Sequence, residues 1–138
     1  MRFITKNLVY FAVTATALTL AFRFAFSVLL ARECDFYFLP AILYSLSMTA
    51  AGWYFGKKDG RELPLYDVGF RFHLATYVQY FVVTGAWFLL GLNAQAEKWE
   101  RKLITALVWG FFLAIHFVYF LITRKRAIDG LKREDVFD

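Results

Sequence analysis

The sequence predicts an all-α integral membrane protein, with four transmembrane helices in an up-down antiparallel bundle. Three observations predict it. The 138 residues are 60% hydrophobic and 21% aromatic, with mean hydropathy +0.49; soluble domains average nearer half apolar. Thr105 to Thr123 carries no Asp, Glu, Lys or Arg and is closed by Arg124-Lys125-Arg126, the pattern of a membrane helix ending at a cytoplasmic face. Three further apolar stretches resemble it and are joined by short polar connections. The length fits one domain, spanning residues 1–138.

The first helix is expected over residues 8–31. A basic start followed by an apolar run imitates a signal peptide. The run continues beyond Arg23 and the chain begins at Met1, so a retained helix is expected instead. Ala31 to Asp35 reads as a tight turn. The second helix is expected over 36–55, with Pro40 in its first turn, where a missing N–H costs little. Residues 57–71 form the longest polar connection, with Asp59-Gly60 as a turn signal and Leu63-Pro64 as an extended dipeptide. Asp67 is placed to cap the third helix, whose body is expected over 72–92. Asn93 to Lys102 mixes charges of both signs around Trp99 and reads as an interfacial segment. The fourth helix is expected over 103–123, followed by a charged tail over 124–138.

Basic residues orient the chain. Eleven of the sixteen Lys and Arg lie in the N-terminal segment, the 57–71 connection and the tail. That majority places both termini in the cytoplasm, for a multi-pass protein of the plasma (inner) membrane. The net charge of +5 is explained by residues flanking apolar runs, where they orient helices and touch anionic lipid. No nucleic-acid partner is expected. The single cysteine, Cys34, excludes an intrachain disulfide and a Cys-rich metal site.

In lipid, small and polar residues mark the faces that meet. On the first helix Thr16, Thr19, Arg23 and Ser27 share a face, and Ala17, Ala21 and Ala25 form a small-residue row roughly opposite. The second helix offers Ala41, Ser45, Met48, Gly52 and Gly56. The third offers His73, Tyr77, Tyr80, Thr84, Trp87 and Gly91. The fourth offers Thr105, Trp109, Phe112, His116, Tyr119 and Thr123. Alternating spacings of three and four are those of a left-handed bundle seam.

These faces give an interior of Arg23, Thr19, Ser27, Tyr80, His116 and Tyr119. Such groups can serve as packing glue, bonding to one another away from lipid. They can equally line a ligand cavity, because intramembrane ionisable residues are functional candidates. Arg23 lies about 12 Å from the helix end at ~1.5 Å per residue. No carboxylate falls inside an expected span, so its counter-ion is expected from water, an anion, lipid or a partner. It is expected to point inward, near Tyr44 or Ser45 and within reach of Tyr80 or Trp87. His116 and His73 are the haem candidates, although their expected depths differ enough to require a tilt. A quinone pocket of Arg23, His116, Tyr119 and Trp109 is a further possibility.

No catalytic residues are assigned. The sequence lacks a His/Glu metalloprotease motif, Cys-x-x-Cys and a P-loop, and no metal site is expected. The absence of an acid within the spans argues against a proton-coupled carrier. The expected function is a non-enzymatic accessory or scaffold subunit of a membrane assembly. Its partners would be the lipid bilayer and either further copies of itself or a larger membrane protein complex. An oligomeric anion channel or small-ligand transport subunit is the first alternative, and a haem- or quinone-binding anchor the second.

Overall fold

The computed structural model describes residues 4–61 and 63–134, with side-chain surroundings through Arg126, Tyr37 excepted. Arg2, the side chains of Lys132 and Arg133, and the tail's last residues, 135–138, lie outside that description. Among the described residues there are four α-helices and no strand: α1 (Lys6–Ala31), α2 (Leu39–Asp59), α3 (Leu65–Leu89) and α4 (Trp99–Glu134). A 3-10 turn, Asp35–Phe38, leads into α2. α1 and α4 are long and apolar enough to cross a membrane.

Local chemistry explains where the helices end. The Thr5 hydroxyl accepts the Leu8 N–H at 3.0 Å and caps α1. At the other end Glu33 takes φ 52°, and the Cys34 and Glu33 N–H groups bond to the Leu29 and Leu30 carbonyls. This is a Schellman turn. α3 ends in the same way at Gly91, where φ is 68° and glycine suits the left-handed turn.

The boundaries differ from the sequence expectation in three places. α2 continues to Asp59, whose carboxylate is held by Thr5, the cap of α1, and by Asn7 in its first turn. Lys57 and Lys58 favour this extension at a helix C-terminus. α3 begins at Leu65, so the connection over 57–71 contracts to Gly60–Pro64. Asp67 is not the cap; it lies in the first turn and pairs with Arg71 one turn on, with Nε at 2.8 Å from Oδ1. Finally, α4 starts at Trp99 and runs through the basic cluster to Glu134.

α1 is the spine of the fold. Leu8, Phe11, Ala15, Thr19, Arg23 and Ser27 recur at three- and four-residue spacing, and all are buried. α1 and α3 run parallel in constant register. Phe11 packs on Phe72, Thr19 meets Gln79, and Ser27 meets Trp87. α2 returns antiparallel, bringing Phe55 to Phe11 and Tyr44 to Thr19. Gly52 faces Phe11 of α1 and Gly56 faces Val68 of α3, each with room for a Cβ in ordinary van der Waals contact. One end of the three-helix core is apolar, built on Leu8, Phe11, Ala15, Val68 and Phe72. The other end is polar.

α4 corrects the picture of a closed bundle. It lies antiparallel on α3, through Tyr66–Phe120, Phe70–Phe117 and Tyr80–Trp109 ring contacts. Among the described residues its backbone does not approach α1 or α2. Its expected seam is therefore largely on the surface: Trp109, Phe112, His116 and Tyr119 are all exposed. A three-four spacing defines a face, but it does not supply a neighbour to cover it. The small-residue row is corrected as well. Ala17 and Ala21 are exposed and Ala25 half-buried, because the opposite face of α1 makes the contacts. Ala41 and Ser45 of α2 are also exposed.

Candidate functional site

The polar end of the core is closed by the segment between α3 and α4. The turn at Gly91 reverses the chain, and a second turn, Glu97 N–H to the Ala94 carbonyl at 2.9 Å, aims Glu97 back at α1. Glu97 meets Arg23 there, with Nη2 donating to Oε2 at 2.7 Å and the two side chains 0% and 2% exposed. Ser27 donates to Oε1 at 2.7 Å, and the Ala94 N–H to the same oxygen at 3.3 Å. Trp87 Nε1 donates to the Ser27 hydroxyl at 3.1 Å. Lys102 stands 3.9 Å from Oε2, on the first turn of α4.

This arrangement overturns the expectation that Arg23 has no counter-ion within the chain. Glu97 lies outside the apolar spans, but the loop that carries it folds over the open end of α1 and α3. Burial pushes the Glu97 carboxyl up; hydrogen bonds from Ser27 and Arg23, the guanidinium charge and the Ala94 N–H outweigh it and hold the group below the ordinary carboxylate value.

The guanidinium is walled by two rings, with Cζ 5.9 Å from the Trp87 centroid and 5.5 Å from that of Phe88. One turn deeper, the Thr19 hydroxyl donates to the Ala15 carbonyl at 2.8 Å, joins Tyr44 at 3.0 Å and stands 3.2 Å from the Gln79 side-chain amide. Tyr44 thus bonds to Thr19 rather than to Arg23. Tyr80 is buried and packs its ring against Tyr44 and Trp109. Arg23 Nε and Nη1 are buried and, among the described residues, have no hydrogen-bond partner.

His116 and Tyr119 do not join this cluster. His116 lies against His73 on the outer side of α3, with ring centroids 4.7 Å apart. The expected depth mismatch is absent, because α3 begins early enough to put His73 two turns inside it. The two rings line an open groove of about 440 Å³ with Thr76, Tyr77, Trp109, Phe112 and Leu113. Tyr77 anchors its wall by donating to the Ala106 carbonyl at 3.1 Å. Tyr119 is 60% exposed and outside the groove. The imidazoles touch one another directly, so iron held between them would require α3 and α4 to part. The proposed quinone set of Arg23, His116, Tyr119 and Trp109 is not assembled in one place. Among the described residues no group of three His, Cys, Asp or Glu side chains could hold a metal.

Sequence reasoning thus missed Glu97, Lys102 and Gln79, and it gave Tyr44 a different partner, Arg23 in place of Thr19. No periodic signal marks Glu97, which sits among charges of both signs in a non-helical segment. Gln79 is detectable as the lone amide within the third apolar stretch. No protein-family model, curated protein or solved structure matches this chain.

Proposed function

We propose that the chain is a four-span protein of the plasma (inner) membrane, with both termini cytoplasmic, and that it works as a non-enzymatic subunit of a membrane assembly. The spanning reading is supported by a surface rich in large apolar side chains, including Leu89 at 91%, Leu107 at 75% and Trp53 at 68% exposure. A soluble monomer rarely leaves such continuous apolar surface uncovered.

The assembly reading is carried by α4. Among the described residues its neighbouring helix is α3, and it leaves His116 and Tyr119 uncovered within an apolar stretch. Polar and aromatic side chains at such positions promote helix association in lipid. A second copy of this chain is the favoured partner, because a two-fold contact gives each α4 its missing neighbour. The test is native mass spectrometry of the protein released from mild detergent, together with disulfide trapping of Tyr119→Cys in a Cys34→Ser background. A dimer cross-linked through α4 supports the reading. A monomer in mild detergent that fails to cross-link in membranes would overturn it.

A second reading rests on the His73–His116 groove, whose volume suits a lipid-soluble ring compound such as a quinone. An absorbance spectrum and an organic extract of purified protein test for quinone and haem. An anion channel has less support, since the Arg23 charge is paired with Glu97.

A further inference from the structure

The Arg23 cluster is more than an internal ion pair. Glu97 occupies only Nη2 of the guanidinium, leaving Nε and Nη1 without an acceptor in a side chain that is 0% exposed. What the two guanidinium nitrogens lack is a hydrogen-bond acceptor. Buried donors left in this state are costly.

Charge narrows the ligand. Glu97 faces two cations, Arg23 at 2.7 Å and Lys102 at 3.9 Å, so the cluster carries one positive charge in excess. A neutral acceptor would satisfy donors but leave that excess. A monoanion would do both. The walls narrow it further: Trp87 and Phe88 flank the guanidinium, and Lys102 lies over the Phe26 ring at 5.4 Å. An anionic oxygen on an apolar body suits this combination of donors and rings. Lys102 is 18% exposed, which marks the side from which a ligand reaches the cluster.

We propose that Arg23, with Lys102, forms a binding site for a monoanionic oxygen ligand of the carboxylate or phosphodiester class at the Glu97 end of the α1–α3 seam. The site does not depend on a partner for α4. Glu97 orients the guanidinium and fixes the net charge at a value that one anion neutralises. The ligand could come from solution as a small carboxylate, or from the bilayer as an anionic lipid headgroup.

Isothermal titration of the full chain in neutral maltoside detergent tests the first source, with benzoate as probe and benzamide as its uncharged control. Melting temperature in phosphatidylcholine nanodiscs with and without phosphatidylglycerol tests the second. The site predicts saturable binding of benzoate but not benzamide, or a rise in melting temperature specific to phosphatidylglycerol. The arm that responds identifies the source. Arg23→Lys is expected to weaken the response at least tenfold, because it loses the planar donor fork, and Lys102→Ala to weaken it severalfold. The double variant Arg23→Leu/Glu97→Leu removes the pair without leaving a lone buried charge, and it should abolish the response while remaining folded. Equal binding of benzoate and benzamide would overturn the proposal. So would an undiminished response in the double variant, or no response from the wild-type chain in either arm.

Discussion

At the residue scale, Arg23 and Glu97 are coupled so tightly that neither can be understood alone. Removing one member of a buried pair strands the other, at a cost of about 3–5 kcal/mol. Glu97→Ala should therefore destabilise the protein strongly in detergent melts, whereas Arg23→Leu/Glu97→Leu should lose much less. Additive losses in this double-mutant cycle would show that the two residues do not act as a unit. The same pair sets a pH dependence. The folded-state pKa of Glu97 lies below its unfolded value, so its stabilisation is complete above the unfolded carboxylate pKa of about 4.3. It is lost as pH falls through the depressed folded value. The melting temperature should drop in acid, and Glu97→Gln should flatten that drop. An identical acid profile for wild type and Glu97→Gln would exclude this linkage.

At the element scale, what could be read from the sequence depended on periodicity. The spacing of Thr19, Arg23 and Ser27 marks a common helical face because each turn of α1 meets a neighbour along its full length. The same kind of spacing in α4 gave a face without a covering helix, and it placed His116 and Tyr119 inside when both are exposed. The helix ends were hidden because Lys57–Asp59 and Leu65–Arg71 are polar enough to resemble a connection. They stay helical through tertiary contacts, Asp59 with Thr5 and Asn7, and through the Asp67–Arg71 pair within α3. Glu97 was out of reach because two turns, rather than a repeat, determine where it points. These assignments make contrasting predictions. Ala21 is exposed, so Ala21→Leu should change detergent stability by no more than about 0.5 kcal/mol. Gly110 is different, since a Cβ there would stand 3.2 Å from the Tyr77 hydroxyl. Gly110→Leu should displace Tyr77 and loosen α4 from α3, costing about 1–3 kcal/mol. Thermal melts of the two variants separate the cases; equal stability would mean that α4 is not held along this line.

At the scale of the whole molecule, the fold has two parts with different tasks. The α1–α3 core encloses an apolar end and a polar end, and the Glu97 loop closes the latter. α4 is an outer layer attached along one side. If all four helices cross the membrane, the 60–64 connection and the Glu97 loop must lie on opposite faces of the bilayer, since α3 separates them. Its 25 residues give a length of about 37 Å at ~1.5 Å per residue, enough for a hydrocarbon core of about 30 Å. The orientation proposed from the excess of basic residues has the Gly60 side in the cytoplasm. Both test positions, Gly60 and Gln95, are exposed, so a cysteine at either can react with a reagent that reaches it. In a Cys34→Ser background, a membrane-impermeant maleimide added to intact cells should label Gln95→Cys and spare Gly60→Cys until the membrane is opened. The reverse pattern would keep four spans but invert the orientation. Labelling of both sites in intact cells would leave α3 on one side of the membrane, and with it the four-span arrangement would fail.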